Sequence, residues 1–254
     1  MCGLAGSTSV MFIDDLGAPP NTLYLPTTSI PLISHISAAV SGITFGVGAK
    51  IAAIPNLVGG VAAATQATTS LQPVLGSVNG VPVIDCTATG AECMNLNLVQ
   101  ATAGYHTLYV VLTVIVTGYT PVYYSCAGVY NELLYSGATL QGYALGAGTP
   151  RSFASQAVYE TQLALGRLMV LCFYAEPGSF ANTGISFNDK IAYNFSDVAA
   201  QVPAGTNTWK INTYPGGSTW NSKTKYALAL SYNGRHPADE RAAVVAAIRN
   251  YLNI

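Results

Sequence analysis

Charge is what this sequence lacks most. Ten Lys or Arg and eleven Asp or Glu stand among 254 residues, so charged residues make up 8 % of the chain, against about 25 % in ordinary soluble domains. No charge falls between Asp15 and Lys50, between Lys50 and Asp85, or between Glu92 and Glu132. The net charge of −1 and the single, scattered basic residues exclude nucleic-acid binding driven by phosphate neutralisation, which needs clustered Lys and Arg. Half of the residues are hydrophobic, which excludes a disordered chain. Also missing is a clean apolar run of about 18 residues. The apolar stretch Ile30–Ala64 is broken by Pro31, His35, Lys50 and Pro55, so no membrane span is expected. Met1–Gly6 has neither a basic nor a long apolar region, so no secretory leader is expected.

Reactive side chains are sparse too. The five cysteines, Cys2, Cys86, Cys93, Cys126 and Cys172, are odd in number and contain no CxxC pair, which argues against zinc. Cys86 and Cys93 are close enough in sequence to close a small loop, and buried thiols fit them equally well. His35, His106 and His236 are far apart and form no HxH or HExxH spacing; no metal is expected. Retaining glycoside hydrolysis needs two carboxyl groups about 5 Å apart, which alternate positions of one strand supply. No Glu-x-Asp or Glu-x-Glu occurs. Asp14–Asp15 and Asp239–Glu240 are adjacent, so a strand would point them to opposite faces. Met1–Cys2–Gly3 resembles the start of class II glutamine amidotransferases, which use an exposed Cys nucleophile. That chemistry also needs an Arg clamp, and the first Arg here is Arg151. The expectation is a protein without enzymatic activity.

What is abundant is turn chemistry and β-formers. Residues 1–28 carry Gly17, Pro19, Pro20 and Pro26 between short apolar groups and read as irregular. Strand signals follow: Val81–Ile84 after the Asn79–Gly80 turn pair, Leu108–Val116, Pro121–Tyr124, Leu168–Tyr174, Trp209–Tyr214 and Tyr226–Tyr232. The last places Tyr226, Leu228, Leu230 and Tyr232 on one face. Many short strands between Gly, Pro and Asn turns predict a β-sandwich or jelly roll. At the C-terminus, Pro237, Asp239 and Glu240 open a helix. Val244, Val245, Ile248, Tyr251 and Leu252 give it one apolar stripe.

Three stretches carry a resemblance. They are Ala62–Pro73 followed by Asn79–Asp85, then Thr102–Thr113, then Tyr226–Arg241 running on to Leu252. Their order resembles the laminin-G-like branch of the concanavalin A-like lectin/glucanase fold, as found in phage and viral structural proteins. The resemblance implies an all-β, concanavalin A-like (jelly-roll) sandwich over residues 46–254, ending in a helix at 237–252, with residues 1–45 as an N-terminal arm. The acidic residues that often hold calcium in such folds have no match here, so no cofactor is expected.

Sixteen Tyr and two Trp are the remaining binding candidates, because sugars stack on aromatic faces beside Asn. Trp220 with Asn221, in the Gly/Ser/Thr/Lys-rich stretch 216–224, is the best candidate. Trp209 is the second, although its alternating strand suits the core, and Tyr and Trp also serve packing and subunit contacts. An uncharged surface in a chain of this size points to burial against neighbouring subunits, or to a Thr/Ser/Asn/Tyr surface that needs no charge. The combined expectation is a virion structural protein, such as a capsid decoration, head-fibre or tail component. It would associate with itself or other virion proteins and bind a surface glycan as a secondary role. The alternative is a secreted or cell-surface carbohydrate-binding module.

Overall fold

The computed structural model describes residues 9–10, 23–100, 106–114, 122–126, 129–136, 139–143, 151–155, 166–176, 183–188, 191–194, 204–212 and 223–254. They form two antiparallel sheets, a two-stranded ribbon of β1 (Ser9–Val10) and β2 (Leu23–Tyr24), and one long helix. The eight-stranded sheet contains β3 (Leu32–Ser37), β7 (Val74–Val78), β8 (Val81–Asp85), β10 (His106–Val114), β15 (Met169–Ala175), β16 (Gly184–Phe187), β17 (Ile191–Asn194) and β19 (Thr224–Tyr232). Its order is β17-β16-β15-β10-β19-β8-β7, with β3 also pairing β19. The nine-stranded sheet contains β4 (Thr44–Phe45), β5 (Ile51–Ile54), β6 (Ala64–Thr65), β9 (Met94–Gln100), β11 (Val122–Cys126), β12 (Val129–Ser136), β13 (Thr139–Tyr143), β14 (Arg151–Ser155) and β18 (Gly205–Ile211). Its order is β14-β13-β12-β11-β18-β9-β6-β5-β4. This is the jelly-roll-like sandwich that the turn-punctuated strands predict.

The centre of the eight-stranded sheet is apolar on both faces because both are covered. Every residue of β15 is buried. On the inner face, His106 of β10 stacks on Trp209 of the opposite sheet, ring centroids 5.0 Å apart. On the outer face lies the helix α1 (Ala238–Leu252), which buries Val244, Val245 and Ile248. Asp239 and Glu240 occupy its first turn, and Asn253 ends it in the left-handed conformation with φ 54°. The guanidinium of Arg241 sits 3.8 Å above the Tyr174 ring of β15. Burying each of the three aliphatic side chains contributes about 1.5–3 kcal/mol.

Two details of register differ from the sequence expectation. In β19, Val111 pairs Leu228 while Leu112 pairs Tyr226, so Ala227 is an extra, bulged residue. The bulge moves Tyr226 off the face shared by Leu228, Leu230 and Tyr232. The Tyr226 hydroxyl donates to Asn212 Oδ1 at the end of β18, 3.0 Å away. The strand expected at 209–214 runs instead over Gly205–Ile211, because Asn212 turns to φ 70°.

The arm expected at 1–45 is the larger correction. Strand β3 pairs along β19, from Leu228 opposite Ser37 to Tyr232 opposite Leu32. Strand β8 pairs with the beginning of the same edge, at Lys225 and Tyr226. Residues 32–45 are therefore sandwich. Pairing between segments almost two hundred positions apart leaves no mark on the local pattern. Residues 1–8 and 11–22 lie outside the described residues. The hairpin β7–β8 follows the expected Asn79–Gly80 turn, with φ of 51° and 83°, the signs that a two-residue hairpin loop requires. The two sheets meet where Lys50 bridges Val74 and the Ile51 N–H donates to the Pro73 carbonyl at 2.7 Å.

Candidate functional site: the open face of the nine-stranded sheet

Strands β9 and β18 alternate cleanly. Met94, Leu96 and Leu98 point into the core, as do Trp209 and Ile211. The intervening residues form the outer face: Asn95, Asn97 and Val99 on β9, and Thr206, Thr208 and Lys210 on β18. Register sets them side by side, with Asn95 opposite Lys210, Asn97 opposite Thr208 and Val99 opposite Thr206. Asn97, Val99, Thr206 and Thr208 are exposed, and Asn95 and Lys210 are half-buried. Thr208 Oγ1 donates to Asn97 Oδ1 at 2.8 Å, which holds the exposed amide in place. The row continues in register, with Thr65 opposite Asn95 on one side. On the other, Ser125 pairs Lys210, and Tyr130 pairs Ser125.

This face presents amide, hydroxyl and ammonium groups about 4.8 Å apart between strands, beside the 63 % exposed Val99. Fixed donors and acceptors around a small apolar contact suit a polyhydroxylated ligand. Acid–base chemistry has less to work with. Asp85 pairs with Lys225 at 2.9 Å. Burial raises its pKa, but hydrogen bonds from Thr87 and the Lys225 charge outweigh that and hold it below its ordinary value. The buried Glu92 accepts from the Thr89 hydroxyl and from the N–H groups of Thr89 and Gly90. Glu176 pairs with Arg235 at 2.7 Å. Among the described residues, no three His, Cys, Asp or Glu side chains gather as a metal site.

The sequence candidates fall elsewhere. Trp209 is completely buried, stacked on His106 with its ring 13° from parallel. It offers no face to a ligand, because even-numbered positions of β18 point outward and Trp209 is odd. Trp220 and Asn221 lie outside the described residues, as do Asp14 and Asp15. Cys86 and Cys93 are free, buried thiols, and burial pushes both above the ordinary cysteine range. Cys172 is a third. No described helix is long and apolar enough to cross a membrane. The outer-face residues of β9 and β18 had a signal in the alternation Asn–Leu–Asn–Leu–Val at 95–99. That signal is neither aromatic nor catalytic in kind, so it does not stand out from an ordinary half-buried strand.

No protein-family model matches the sequence, and no curated protein matches it. Solved structures do. The chain is similar to a sialidase of Trypanosoma rangeli in complex with sialic acid, with 13 % identity, a TM-score of 0.51, and 91 % of this chain matched to 34 % of that one. It is also similar to domain 4 of AbnA, a GH43 extracellular arabinanase of Geobacillus stearothermophilus, in complex with arabinotriose. There the identity is 11 %, the TM-score 0.54, and the match covers 85 % of this chain and 98 % of that domain. The chain spans about a third of the sialidase's length. At these identities what is shared is the fold, a two-sheet antiparallel β-sandwich.

Proposed function

We propose that this chain is a non-enzymatic carbohydrate-binding sandwich, with the open face of β9 and β18 as its glycan surface. The observation that carries the reading is the asymmetry of the two sheets. The outer face of the eight-stranded sheet is roofed by α1, whereas the nine-stranded sheet exposes an ordered Asn97–Thr208 pair with Lys210 and Val99 beside it. The domain of AbnA, whose fold this chain shares, holds arabinotriose, which supports the reading. A laminin-G-like assignment rests on the sequence stretches alone. The test is retention in polysaccharide-containing gels and on a glycan array, comparing wild type with an Asn97→Ala/Thr208→Ala double variant and with Trp220→Ala. Binding lost only in the double variant supports the open face. Binding lost only in Trp220→Ala moves the site to that stretch, and no binding to any glycan ends the reading.

A second reading, a structural protein of a virion that also binds a host glycan, draws on the scarcity of charge. It also draws on Phe45, Val47 and Leu75, which are 48 %, 79 % and 43 % exposed close to the edge where the two sheets join. It predicts a defined oligomer by light scattering coupled to size exclusion. A clean monomer favours a secreted or cell-surface module.

A further inference from the structure

The corner between β19 and α1 holds a buried polar junction that the glycan face does not use. His236 is fully buried. Its Nδ1 lies 2.8 Å from the Tyr109 hydroxyl of β10. Its ring meets the Tyr232 ring edge-on, centroids 4.2 Å apart. The His236 N–H donates to Thr107 Oγ1 at 2.8 Å, and its carbonyl accepts from Arg241 Nη1 at 2.8 Å. Nε2 faces Glu240 Oε2 at 4.0 Å. The other carboxylate oxygen of Glu240 accepts the Ser29 N–H at 3.0 Å. One residue thus joins the sheet, the first turn of the helix and, through Glu240, the strap of residues 25–32. A further backbone tie of the strap runs from the Asn233 N–H to the Pro31 carbonyl at 3.0 Å, next to the Leu32–Tyr232 pair that begins the β3–β19 ladder. It is also pressed against Gly234, where a Cβ would come within 2.8 Å of Ile30. Strap and Tyr232 border a half-open pocket of about 150 Å³ lined by Leu25, Ile30 and Leu32 among others.

We propose that this corner is an acid-released latch, in which a proton on His236 frees strap residues 25–31 and the first turn of α1 from the eight-stranded sheet while the sheets stay paired. The neutral ring accepts the Tyr109 O–H on Nδ1. An imidazolium carries N–H on both nitrogens and accepts nothing, so the phenol loses the ring as acceptor and is left with the Cys172 thiol of β15, its other hydrogen-bond partner. The new charge lies between two tyrosine rings in a site without water contact. A Glu240 carboxylate that turns to meet it gives up the Ser29 N–H. The groups around the ring act in opposite directions. Burial is the largest and lowers the pKa, Glu240 raises it, and Arg241 lowers it, leaving about 4. Arg241 is itself held over Tyr174 of β15. On the strap side, Arg235 is neutralised by Glu176. Between the unfolded value near 6.5 and this folded value the proton favours the open form. Opening uncovers Leu25, Tyr232 and the apolar underside of the helix, so the protein gains apolar surface in acid.

The test is amide hydrogen exchange of the full chain at pH 7 and pH 5, corrected for intrinsic chemistry. Protection of the Ser29 and Asn233 amides is expected to fall about 20-fold and to be insensitive to low urea, as a local opening is. The fall should vanish in His236→Asn, which keeps an acceptor for Tyr109 without titrating. Glu240→Gln, a change at a partly exposed side chain, provides a second arm should the first variant not fold. It removes the group that raises the pKa and so extends the response to more acidic pH. A strap response that follows the urea dependence of the β10 amides overturns the latch. So does one that survives in His236→Asn, or one that, followed on down to about pH 3.5, levels off at the same pH in Glu240→Gln as in the wild type.

Discussion

The two sheets solve the problem of burial in opposite ways, and their sequences differ accordingly. Strand β15 reads as an unbroken apolar run, because α1 covers one of its faces and the nine-stranded sheet the other. Strands β9 and β18 read as an alternation, because only one face is covered. A doubly covered sheet has no face to offer a ligand, and whatever polar residues it holds are trapped. The chain's three histidines lie there or at its edge. His35 on β3, His106 on β10 and His236 after β19 are 0 %, 1 % and 0 % exposed. The singly covered sheet can instead spend its outer positions on Asn, Thr and Lys without a stability penalty.

The largest expected effect breaks the comparison by acid. Burial lowers the pKa of His35 to about 4, and of His106 to about 3 with help from His236. His236 is lowered to about 4. Each binds its proton first in the unfolded chain. Stability is therefore complete above about pH 6.5 and is lost as pH falls toward the folded values, at up to about 1.4 kcal/mol per pH unit per histidine. From pH 7 to pH 5 the three together remove roughly 5 kcal/mol, read as a fall in the urea midpoint. His106→Gln should recover about a third of the slope. A stability flat across this range would show that the eight-stranded sheet does not seal its histidines.

Next in size is Trp209→Ala. Deleting a fully buried Trp that closes the space between the sheets should cost about 3–5 kcal/mol, with no direct loss of a glycan contact. Ile248→Ala, which thins the roof over the eight-stranded sheet, should cost about 2–4 kcal/mol. Both are measured by denaturant unfolding. A Trp209→Ala protein that keeps its stability but loses glycan retention would reverse the assignment of that residue.

These effects also mark what was readable from residues alone. The sandwich was legible, because strands of β-branched and aromatic residues bounded by Gly, Pro and Asn have few other uses. The C-terminal helix was legible from Pro237, two acids and one stripe. The burial of Trp209 was half legible, since its strand alternates but its strand limits were misplaced. Three features were not legible. The pairing of β3 with β19 depends on contacts distant in sequence. The bulge at Ala227 depends on how β19 meets β10. The open face depends on knowing which sheet the helix covers, and no local pattern says that. Aromatic rings advertise themselves in a sequence, which points to Trp220 and Asn221, whereas a row of Asn and Thr becomes a surface only once the strands are in register.

The smallest effect on stability is the sharpest test of the comparison. Asn97, Thr208 and Lys210 stand on the uncovered face, so replacing any of them costs little folding energy. Asn97→Ala and Lys210→Met should each shift stability by no more than about 0.5 kcal/mol. Thr208→Val removes the hydroxyl that orients the Asn97 amide, which is an exposed hydrogen bond, and should behave alike. On a glycan the order inverts. Loss of the fixed amide should weaken retention about tenfold, near the 1.4 kcal/mol expected for one well-placed hydrogen bond, and Thr208→Val should approach the same loss by leaving the amide free to rotate. Double replacement should be little worse than Asn97→Ala alone, since the two groups act through one contact. Independent, additive losses would mean that Asn97 and Thr208 touch the ligand separately, and equal retention in all variants would return the whole face to the role of solvent-facing sheet.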